Sequence, residues 1–312
     1  MLSILCTCPP MIGAIASLES EFHKRGATVF CPRFTQTLTI PELLELVPQY
    51  DGWIIGDDPA TAEVFAAGRA GRLQAAVKWG VGTDNVDFVG AKASGYEVKN
   101  TPGMFGEEVS DVALGYLLCL ARELHVIDRG VRSGSWPKPS GLSLTGKTVA
   151  LAGFGNIGRA AARKLLAFGM RVIAYDPFYQ ADPALPVENA TWPERLGEAD
   201  FVVLTCALTP SSHHMVNRDT LTLLKPGARL INVGRGPLVE EKALIEALEN
   251  GQLHSVALDV FEEEPLPAES PLRRHERCLF GSHNSSNTRE AVLRTSHKAI
   301  ELLFEKLRGA ET

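Results

Sequence analysis

The sequence predicts an α/β protein of two domains, each built on a doubly wound parallel sheet. Short apolar runs alternate with stretches of helical periodicity along the chain, which is the pattern of repeated strand–helix–strand units. The length of 312 residues suits two domains of ordinary size. Hydrophobic residues make up 45% and charged residues 22%, an ordinary globular balance that argues against a disordered or fibrous protein.

Four apolar runs in the first hundred residues predict strands, with helices between them. These strands are Leu2–Cys6, Thr28–Phe30, Gly52–Ile55 and Ala75–Trp79. One intervening helix spans 41–47, where Pro41 suits a first helical position. Residues 107–131 predict one long helix, with a stripe of apolar side chains at helical spacing: Val109, Val112, Tyr116, Leu117 and Leu120. The stripe either packs on the protein's own core or forms a subunit interface.

A second series of alternating elements begins at Thr148. Its predicted strands are 148–153, 171–175, 201–205, 228–233 and 255–258. Its predicted helices are 158–168, 219–224 and 239–250, and a final helix spans 289–307.

Net charge and composition narrow the classes of partner and compartment. The net charge of −6, without a basic run, argues against nucleic acid or an anionic membrane as a partner. No apolar run approaches the length needed to span a bilayer, and Pro9 and Pro10 interrupt the apolar N-terminus, which predicts a strand and a turn instead of a signal peptide. The six cysteines are scattered and mostly in apolar runs, so we expect buried thiols in a reducing cytoplasm and no metal site.

A glycine fingerprint marks the start of the second series. Gly153, Gly155 and Gly158 have the G-x-G-x-x-G spacing, directly after a predicted strand and at the start of a predicted helix. The first glycine permits a tight turn, the second lets the backbone approach a pyrophosphate, and the third allows close helix–strand packing. The amides near Asn156 and Ile157 would then bind the diphosphate of a dinucleotide at the helix N-terminus. Glycines that serve only a structural turn are the alternative.

Asp176 stands 18 residues after the last of these glycines, at the end of the next predicted strand. A carboxylate there accepts hydrogen bonds from ribose hydroxyls and repels the extra phosphate of NADP. Pro177 and Phe178 supply no arginine to neutralise that phosphate. The fingerprint therefore predicts NAD as the cofactor.

Three later strands each end in a polar or charged group, where ligands of open α/β sheets bind. Arg235 lies between two glycines after the strand at 228–233, and Asp259 and Glu264 follow the next strand. His283 lies in a small polar loop. Each alone is more often structural or solvated than catalytic. Together they offer a guanidinium for a carboxylate, an imidazole to carry a proton and a carboxylate to orient it.

These motifs together resemble the D-isomer-specific 2-hydroxyacid dehydrogenase family, in its phosphoglycerate dehydrogenase-like branch. The resemblance runs in order from about residue 50 to the C-terminus, through the segments 79–87, 100–103, the glycine fingerprint, 232–238, 259–265 and His283. It implies a Rossmann NAD domain (102–285) plus a flavodoxin-like substrate domain (1–101 with 286–312), flanking a cleft. It also implies a homodimer joined through the cofactor domains, which would give the long helix an interface role.

The resemblance implies a role for each matching residue. The catalytic residues would be Arg235, Glu264 and His283, and the backbone of Val81 and Gly82 would bind the substrate carboxylate. Cofactor contacts would come from the glycine fingerprint and Asp176 and, after the later strands, from Cys206, Val233, Gly234 and Asp259, the last near the nicotinamide amide. The reaction implied is hydride transfer between NAD(H) and C2 of a small 2-hydroxy or 2-oxo acid.

Two departures from the family pattern bear on the substrate and the catalytic loop. Ser282 precedes His283 where relatives commonly have Pro, and Asn284 and Ser285 replace residues that are usually apolar or small. Asp57 and Asp58 stand where relatives often carry Arg or Ser, which weakens the case for a phosphorylated substrate.

Several functions stay open. The substrate could be 3-phosphoglycerate, glyoxylate or hydroxypyruvate, or a bulkier sugar-derived acid. A formate dehydrogenase is disfavoured because it would have Gln in place of Glu264. An NAD-sensing protein similar to the C-terminal-binding-protein corepressors keeps the same triad and stays possible, whereas a bare NAD-binding module would have no need of it.

Overall fold

A computed structural model describes residues 1–309 of the chain. The chain divides into two compact units. The first consists of Met1–Met104 together with the chain from Asn287 onward, and the second of Phe105–Ser286.

The first unit is built on a parallel sheet, which has five strands in the described residues. They are β1 (Leu2–Cys6), β2 (Ala27–Phe30), β3 (Gly52–Ile55), β4 (Ala75–Lys78) and β5 (Lys99–Asn100). Their spatial order is β2-β1-β3-β4-β5, which is the flavodoxin-like doubly wound order. In β1, Leu5 pairs with Phe30 on one side and with Trp53 on the other. β3 and β4 are buried along their whole length, as expected for central strands covered on both faces.

Helices cover this sheet. They are α1 (Pro9–Gly13), α2 (Ile15–His23), α3 (Ile40–Leu46), α4 (Ala62–Ala70), α5 (Phe88–Ala93) and, from the C-terminal end of the chain, α11 (Arg289–Gly309). α3 starts with a capping box in which Thr39 and Glu42 satisfy each other's backbone amides. The core of the unit includes Trp53 and Phe65, whose ring centroids lie 5.9 Å apart.

The second unit is built on a parallel sheet with seven strands among the residues described. They are β6 (Thr148–Ala152), β7 (Arg171–Tyr175), β8 (Glu188–Asn189), β9 (Phe201–Leu204), β10 (Ala228–Asn232), β11 (Leu253–Leu258) and β12 (Cys278–Phe280). Their order is β12-β11-β10-β9-β6-β7-β8. From β6 the chain builds first toward β8 and then, from β9, toward β12. The order therefore reverses beside β6, where open α/β sheets bind ligands.

The helices of the second unit are α6 (Gly106–Arg122), α7 (Leu124–Arg132), α8 (Asn156–Ala167), α9 (Arg218–Thr222) and α10 (Glu241–Glu249). α6 packs on α8, and the Lys164 ammonium of α8 donates to Ser110 Oγ at 2.6 Å and to the Glu107 carbonyl at 2.9 Å. This contact fixes α6 beside the helix that follows the glycine fingerprint.

The prediction of one long helix over 107–131 is wrong. The helix ends at Arg122, because Glu123 adopts a left-handed conformation with φ of 56°. The Glu123 side chain is buried, with Oε1 3.7 Å from the Arg229 guanidinium and 3.4 Å from His254 Nε2. A long-range ion pair therefore bends the backbone where the local sequence has neither Gly nor Pro. α7 starts directly afterwards, in a new direction.

The predicted fold class is confirmed: the protein is α/β with two parallel sheets. Each strand predicted from an apolar run is present, with ends that differ by two residues at most. The sequence did not predict β5 and β8, which have two residues each and so carry little periodic signal, and it placed a strand before the His283 loop without giving the bounds of β12.

Candidate active site

The turn between β6 and α8 requires two of its glycines for the protein's own packing. Gly153 has φ of 93°, and a Cβ there would lie 2.6 Å from the Cys206 amide nitrogen. A Cβ on Gly158 would lie 2.1 Å from the Gly153 carbonyl oxygen. Both distances are far below van der Waals contact, so neither position accepts a side chain without movement of the backbone.

Gly155 differs from its two neighbours. Within residues 1–309, and leaving out its chain neighbours, no heavy atom would lie within 4 Å of a Cβ at this position. The same part of the chain supplies no side-chain cap for α8, so the first amides of the helix, at Asn156 and Ile157, face an uncapped N-terminus. A helix N-terminus without a capping side chain is a site for an anion, and a side chain at 155 would occupy the approach to it.

Asp176 follows β7 and lies beside this turn. Its Oδ2 accepts from the Phe154 amide at 2.6 Å, and its Oδ1 accepts from the Phe178 amide at 2.8 Å. Each carboxylate oxygen has two lone pairs, so one acceptor position on each oxygen is left by these bonds. The Arg159 guanidinium stacks on the Phe154 ring at 4.6 Å and donates to the Gln180 carbonyl.

The turn that carries Arg235 is fastened by a buried asparagine. Asn232 is 1% exposed, accepts from the Gly234 amide at 3.0 Å and donates to the Arg235 carbonyl at 2.8 Å. Val233, between them, is also buried. A Cβ on Gly236 would lie 1.8 Å from the Phe261 carbonyl, so this turn packs directly on the segment that leads to Glu264.

His283 and Glu264 are in contact. His283 Nδ1 lies 2.8 Å from Glu264 Oε2, and Glu264 Oε1 accepts from the Phe261 amide at 3.0 Å. The two side chains are 22% and 21% exposed, so the pair is largely shielded from water. His283 has φ of 55°, a left-handed conformation that is uncommon for a residue with a side chain. Arg235, Glu264 and His283 follow the carboxyl ends of β10, β11 and β12, which are neighbouring strands.

Asp259, at the end of β11, holds the loop that contains His283. It is 1% exposed, its carbonyl accepts from the His283 amide at 2.7 Å, and its Oδ2 accepts from the Ser285 amide at 2.9 Å. Its Oδ1 accepts from the Asn284 amide at 3.2 Å and from the Tyr116 hydroxyl at 3.3 Å.

Cys206 follows β9 and faces the glycine turn. Its Sγ lies 3.6 Å from the Met215 sulfur, and burial raises the pKa of its thiol to about 11. The side chain is therefore a neutral thiol near neutral pH, which suits a packing role and not a nucleophile.

Val81 and Gly82 belong to the first unit, in the turn after β4. The Val81 carbonyl accepts from the Asn100 side-chain amide at 3.1 Å. Beside this turn lies Lys78, 2% exposed, which donates to the Gly56 carbonyl at 2.7 Å and pairs with Asp57 Oδ1 at 3.1 Å.

Comparison with known proteins identifies the family. Residues 114–285, more than half of the chain, match the model of the D-isomer specific 2-hydroxyacid dehydrogenase family, NAD binding domain. The chain belongs to this family. The family prediction made from the motifs is therefore confirmed.

The names of this dehydrogenase's relatives state different acids as substrates. It is 35% identical to hydroxypyruvate reductase of Thermotoga maritima, over 85% of this chain and 88% of that protein. It is 33% identical to D-3-phosphoglycerate dehydrogenase of Methanocaldococcus jannaschii, over 99% of this chain and 58% of that protein. The crystal structure of the TT0316 protein of Thermus thermophilus superposes with a TM-score of 0.87 at 34% identity and covers 99% of this chain and 97% of that one.

This protein is therefore an NAD-dependent 2-hydroxyacid dehydrogenase. The residues of the second unit fit the cofactor: the uncapped start of α8, the open space at Gly155 and the acceptor positions of Asp176 suit a diphosphate and a ribose. Among the described residues, no group of three or more His, Cys, Asp or Glu is placed to hold a metal ion. Nor does any helix there have the length and apolar character to cross a membrane.

The sequence did not predict three residues of the dehydrogenase that lie beside predicted site residues, each within its own unit. Asn232 lies buried at the end of an apolar strand, which is the signal that could have found it, since a buried amide must be hydrogen-bonded. Lys78 gave a similar signal inside an apolar run. Tyr116 gave no such signal, because a Tyr in an apolar stripe of a helix is expected to be an ordinary core residue.

Proposed function

We propose that the enzyme interconverts a small, unphosphorylated 2-oxo acid and its D-2-hydroxy acid, with Arg235, Glu264 and His283 as the catalytic residues. The observation that carries this proposal is the largely buried contact between His283 Nδ1 and Glu264 Oε2 at 2.8 Å. An imidazole oriented by a carboxylate, with a guanidinium on the neighbouring strand, provides a proton carrier and an anchor for a carboxylate.

The proton moves through His283. In reduction the imidazolium donates the proton on Nε2, the nitrogen opposite Glu264, to the oxygen on C2 of the acid. In oxidation the neutral imidazole takes the hydroxyl proton back. Ionised Glu264 stabilises the imidazolium and fixes the ring, while Arg235 binds the carboxylate and polarises the 2-oxo group. NADH, when bound, supplies the hydride.

The cofactor would be held by residues of the second unit. The amides of Gly155, Asn156 and Ile157 bind the diphosphate, and Asp176 accepts from the ribose. Gly153 and Gly158 shape the turn. Residues after later strands line the rest of the cofactor site: Cys206, Val233, Gly234 and Asp259, the last near the nicotinamide amide. The second unit is on this proposal the NAD-binding domain, and the first is the substrate-binding domain, in which the amides of Val81 and Gly82 bind the substrate carboxylate.

A charge cluster in the first unit supports an unphosphorylated substrate. Lys78 lies beside the turn of Val81 and Gly82, since its Nζ is 3.8 Å from the position that a Cβ on Gly80 would take. Its ammonium is already paired with Asp57. Asp58 is fully buried next to Asp57. A phosphate on the substrate would therefore meet the Asp57 carboxylate and a lysine whose charge is already paired, so hydroxypyruvate or glyoxylate suits this site better than a phosphorylated acid.

A panel of 2-oxo acids tests this substrate class. We expect kcat/KM with NADH to be at least tenfold higher for hydroxypyruvate or glyoxylate than for 3-phosphohydroxypyruvate. Asp57→Asn should raise the relative kcat/KM for the phosphorylated acid about tenfold, because one negative charge within about 7 Å of a dianion costs roughly 1–2 kcal/mol at high effective dielectric. Glu63→Gln, an exposed carboxylate on α4, is the control. A wild-type preference for 3-phosphohydroxypyruvate would instead support the function named for the archaeal relative.

The catalytic assignment has its own test, which also separates an enzyme from an NAD-sensing protein. His283→Ala and Arg235→Ala should each lower turnover at least about a hundredfold, while NADH still quenches protein fluorescence on binding. Near wild-type rates in both variants contradict the assignment. Absence of turnover in the wild type with every acid of the panel supports the NAD-sensing alternative.

We further propose a homodimer that uses α7. No residue of α7 is buried within the described chain, yet the helix is amphipathic and exposes Leu124 and Val131 at 48% and 46%. Trp136, just beyond it, is 76% exposed. Apolar side chains grouped in this way suit a subunit interface. Sedimentation should give a dimer, and Val131→Asp should weaken it.

Six free cysteines support a reducing, cytoplasmic location.

A further inference from the structure

The loop that carries His283 is held in place by one carboxylate, that of Asp259. Asp259 Oδ2 accepts from the Ser285 amide at 2.9 Å and Oδ1 accepts from the Asn284 amide at 3.2 Å, so both residues after His283 are tied to it. The carboxylate is 1% exposed. A buried carboxylate without enough hydrogen-bond donors would be costly, so its donors determine whether it stays in place.

A further donor to Asp259 comes from α6. The Tyr116 hydroxyl lies 3.3 Å from Asp259 Oδ1. Burial, together with the charge of Asp259, raises the pKa of Tyr116 above its usual value, so the phenol stays protonated and acts as a donor across the working pH range. Phe at this position would fill almost the same volume, and the difference would be one donor.

The lack of a side chain at Gly281 leaves room for the contact between Tyr116 and Asp259. A Cβ on Gly281 would lie 2.0 Å from Asp259 Oδ1 and 2.3 Å from the Tyr116 hydroxyl. The space that a side chain would need at 281 is therefore occupied by this hydrogen bond. The helix α6, the end of β11 and the loop after β12 meet at this one point.

His283 needs such support because its backbone is left-handed, with φ of 55°. For a residue with a side chain this conformation costs free energy, and it persists only where surrounding contacts fix it. Ser282, which precedes it, has more backbone freedom than a Pro would have.

We propose that Tyr116 is a positioning residue for the reaction: through Asp259 and the space left by Gly281, it holds the His283 loop in the conformation that keeps Nδ1 on Glu264. This inference rests on the proposed role of His283. It adds that a side chain on α6, acting through Asp259, sets the rate of proton transfer.

Tyr116→Phe tests the proposal. We expect kcat for reduction to fall about tenfold, with KM for NADH within about twofold, because the lost bond is one to a buried carboxylate and not to the cofactor. The alkaline limb of the pH–rate profile for reduction should also move to lower pH, since a looser loop weakens the contact between His283 and Glu264, which stabilises the imidazolium. Tyr96→Phe is the matched control, because Tyr96 is also a buried phenol and donates to the Leu73 carbonyl at 3.0 Å in the first unit.

A second substitution separates positioning from mere stability. Ser282→Pro, combined with Tyr116→Phe, stiffens the residue before His283 and leaves the amides on either side intact, which donate to the Leu258 carbonyl at 2.8 Å and the Asp259 carbonyl at 2.7 Å. Recovery of at least half of the lost kcat supports the proposal. An unchanged kcat and pH profile in Tyr116→Phe overturns it, as does a fall in kcat that Ser282→Pro leaves uncorrected. If His283→Ala kept its activity, the proposed function itself would fail, which is a different result.

Discussion

Replacement of Glu264 by Gln removes the charge beside His283 and keeps the shape of the side chain. Glu264 now accepts two hydrogen bonds, from the Phe261 amide at 3.0 Å and from His283 at 2.8 Å. These two donors meet different oxygens of the carboxylate, and Gln has an NH2 group in place of one of them, so one donor loses its acceptor. The substitution therefore removes one acceptor and the negative charge, while the side chain keeps its shape.

The magnitude follows from the contact. A hydrogen bond to a charged partner contributes about 1.5–3 kcal/mol and a neutral one about 0.5–1.5 kcal/mol, a difference of about 1–2 kcal/mol. Because both side chains are about one-fifth exposed, water screens part of this, and we expect the lower half of the range. Since 1.36 kcal/mol corresponds to one pH unit, the pH at which reduction falls to half its maximum should move down by about one unit.

The direction differs between the two reactions. Reduction needs the imidazolium, which Glu264 stabilises, so Glu264→Gln should lose reduction at a lower pH than the wild type. Oxidation needs the neutral imidazole, so at a given acidic pH the relative rate of oxidation should rise. The assay is kcat/KM for the oxo acid and for the hydroxy acid, each measured from pH 5 to pH 9.

Glu263→Gln is the matched control, because Glu263 is the adjacent, exposed carboxylate of the same run. It should leave both profiles in place. If Glu264→Gln lowers the rate equally at all pH values in both directions, the carboxylate only positions the ring, and the electrostatic part of the mechanism is refuted.

Three further predictions concern the second unit. Gly155→Ala should leave Tm within about 1 °C and lower the affinity for NADH at least tenfold. Gly158→Ala should lower both Tm and the affinity, because its Cβ would lie 2.1 Å from a backbone oxygen. Equal losses of Tm in the two variants would contradict this. Glu123→Ala should destabilise the protein by about 3 kcal/mol in urea unfolding, because it leaves Arg229 buried without its partner; a change below 1 kcal/mol would contradict it. Burial, followed by the charge of Arg229, lowers the pKa of His254 to about 4. The unfolded chain therefore binds the proton first, and Tm should fall as pH drops from about 6.5 to 4, less steeply in His254→Gln.

Much of the fold could be predicted because its signals are local. Buried parallel strands have near-continuous apolar sequences, and β6 and β9 are examples. The glycine turn could also be predicted, because part of what requires its glycines is local: Gly153 has φ of 93°, and Gly158 approaches the Gly153 carbonyl.

The features that could not be predicted from the sequence depend on residues far apart in the chain. The break at Glu123 is held by Arg229, more than a hundred residues away. The contact of Tyr116 with Asp259 spans 143 residues. At Glu123 the local sequence is a good helix and tertiary contacts override it, whereas Tyr116 stays helical and only its distant hydrogen-bond partner could not be predicted. The residues that we propose as catalytic could be named from the sequence because each lies beyond a strand end, but the hydrogen bonds that orient them could not.

Helix α6 runs for 17 residues, about 25 Å, and meets a different part of the NAD-binding fold at each stage of its length. Gly106 at its start packs on Asn156, Tyr116 near its middle reaches Asp259, and the Leu120 carbonyl near its end accepts from Arg229. A rigid helix that contacts three other elements at once is fixed in its register, because a shift by one residue would misalign all three contacts. Homologous chains should therefore tolerate insertions before or after α6 far better than within it, and residues along its inner face should change together with those three contacts.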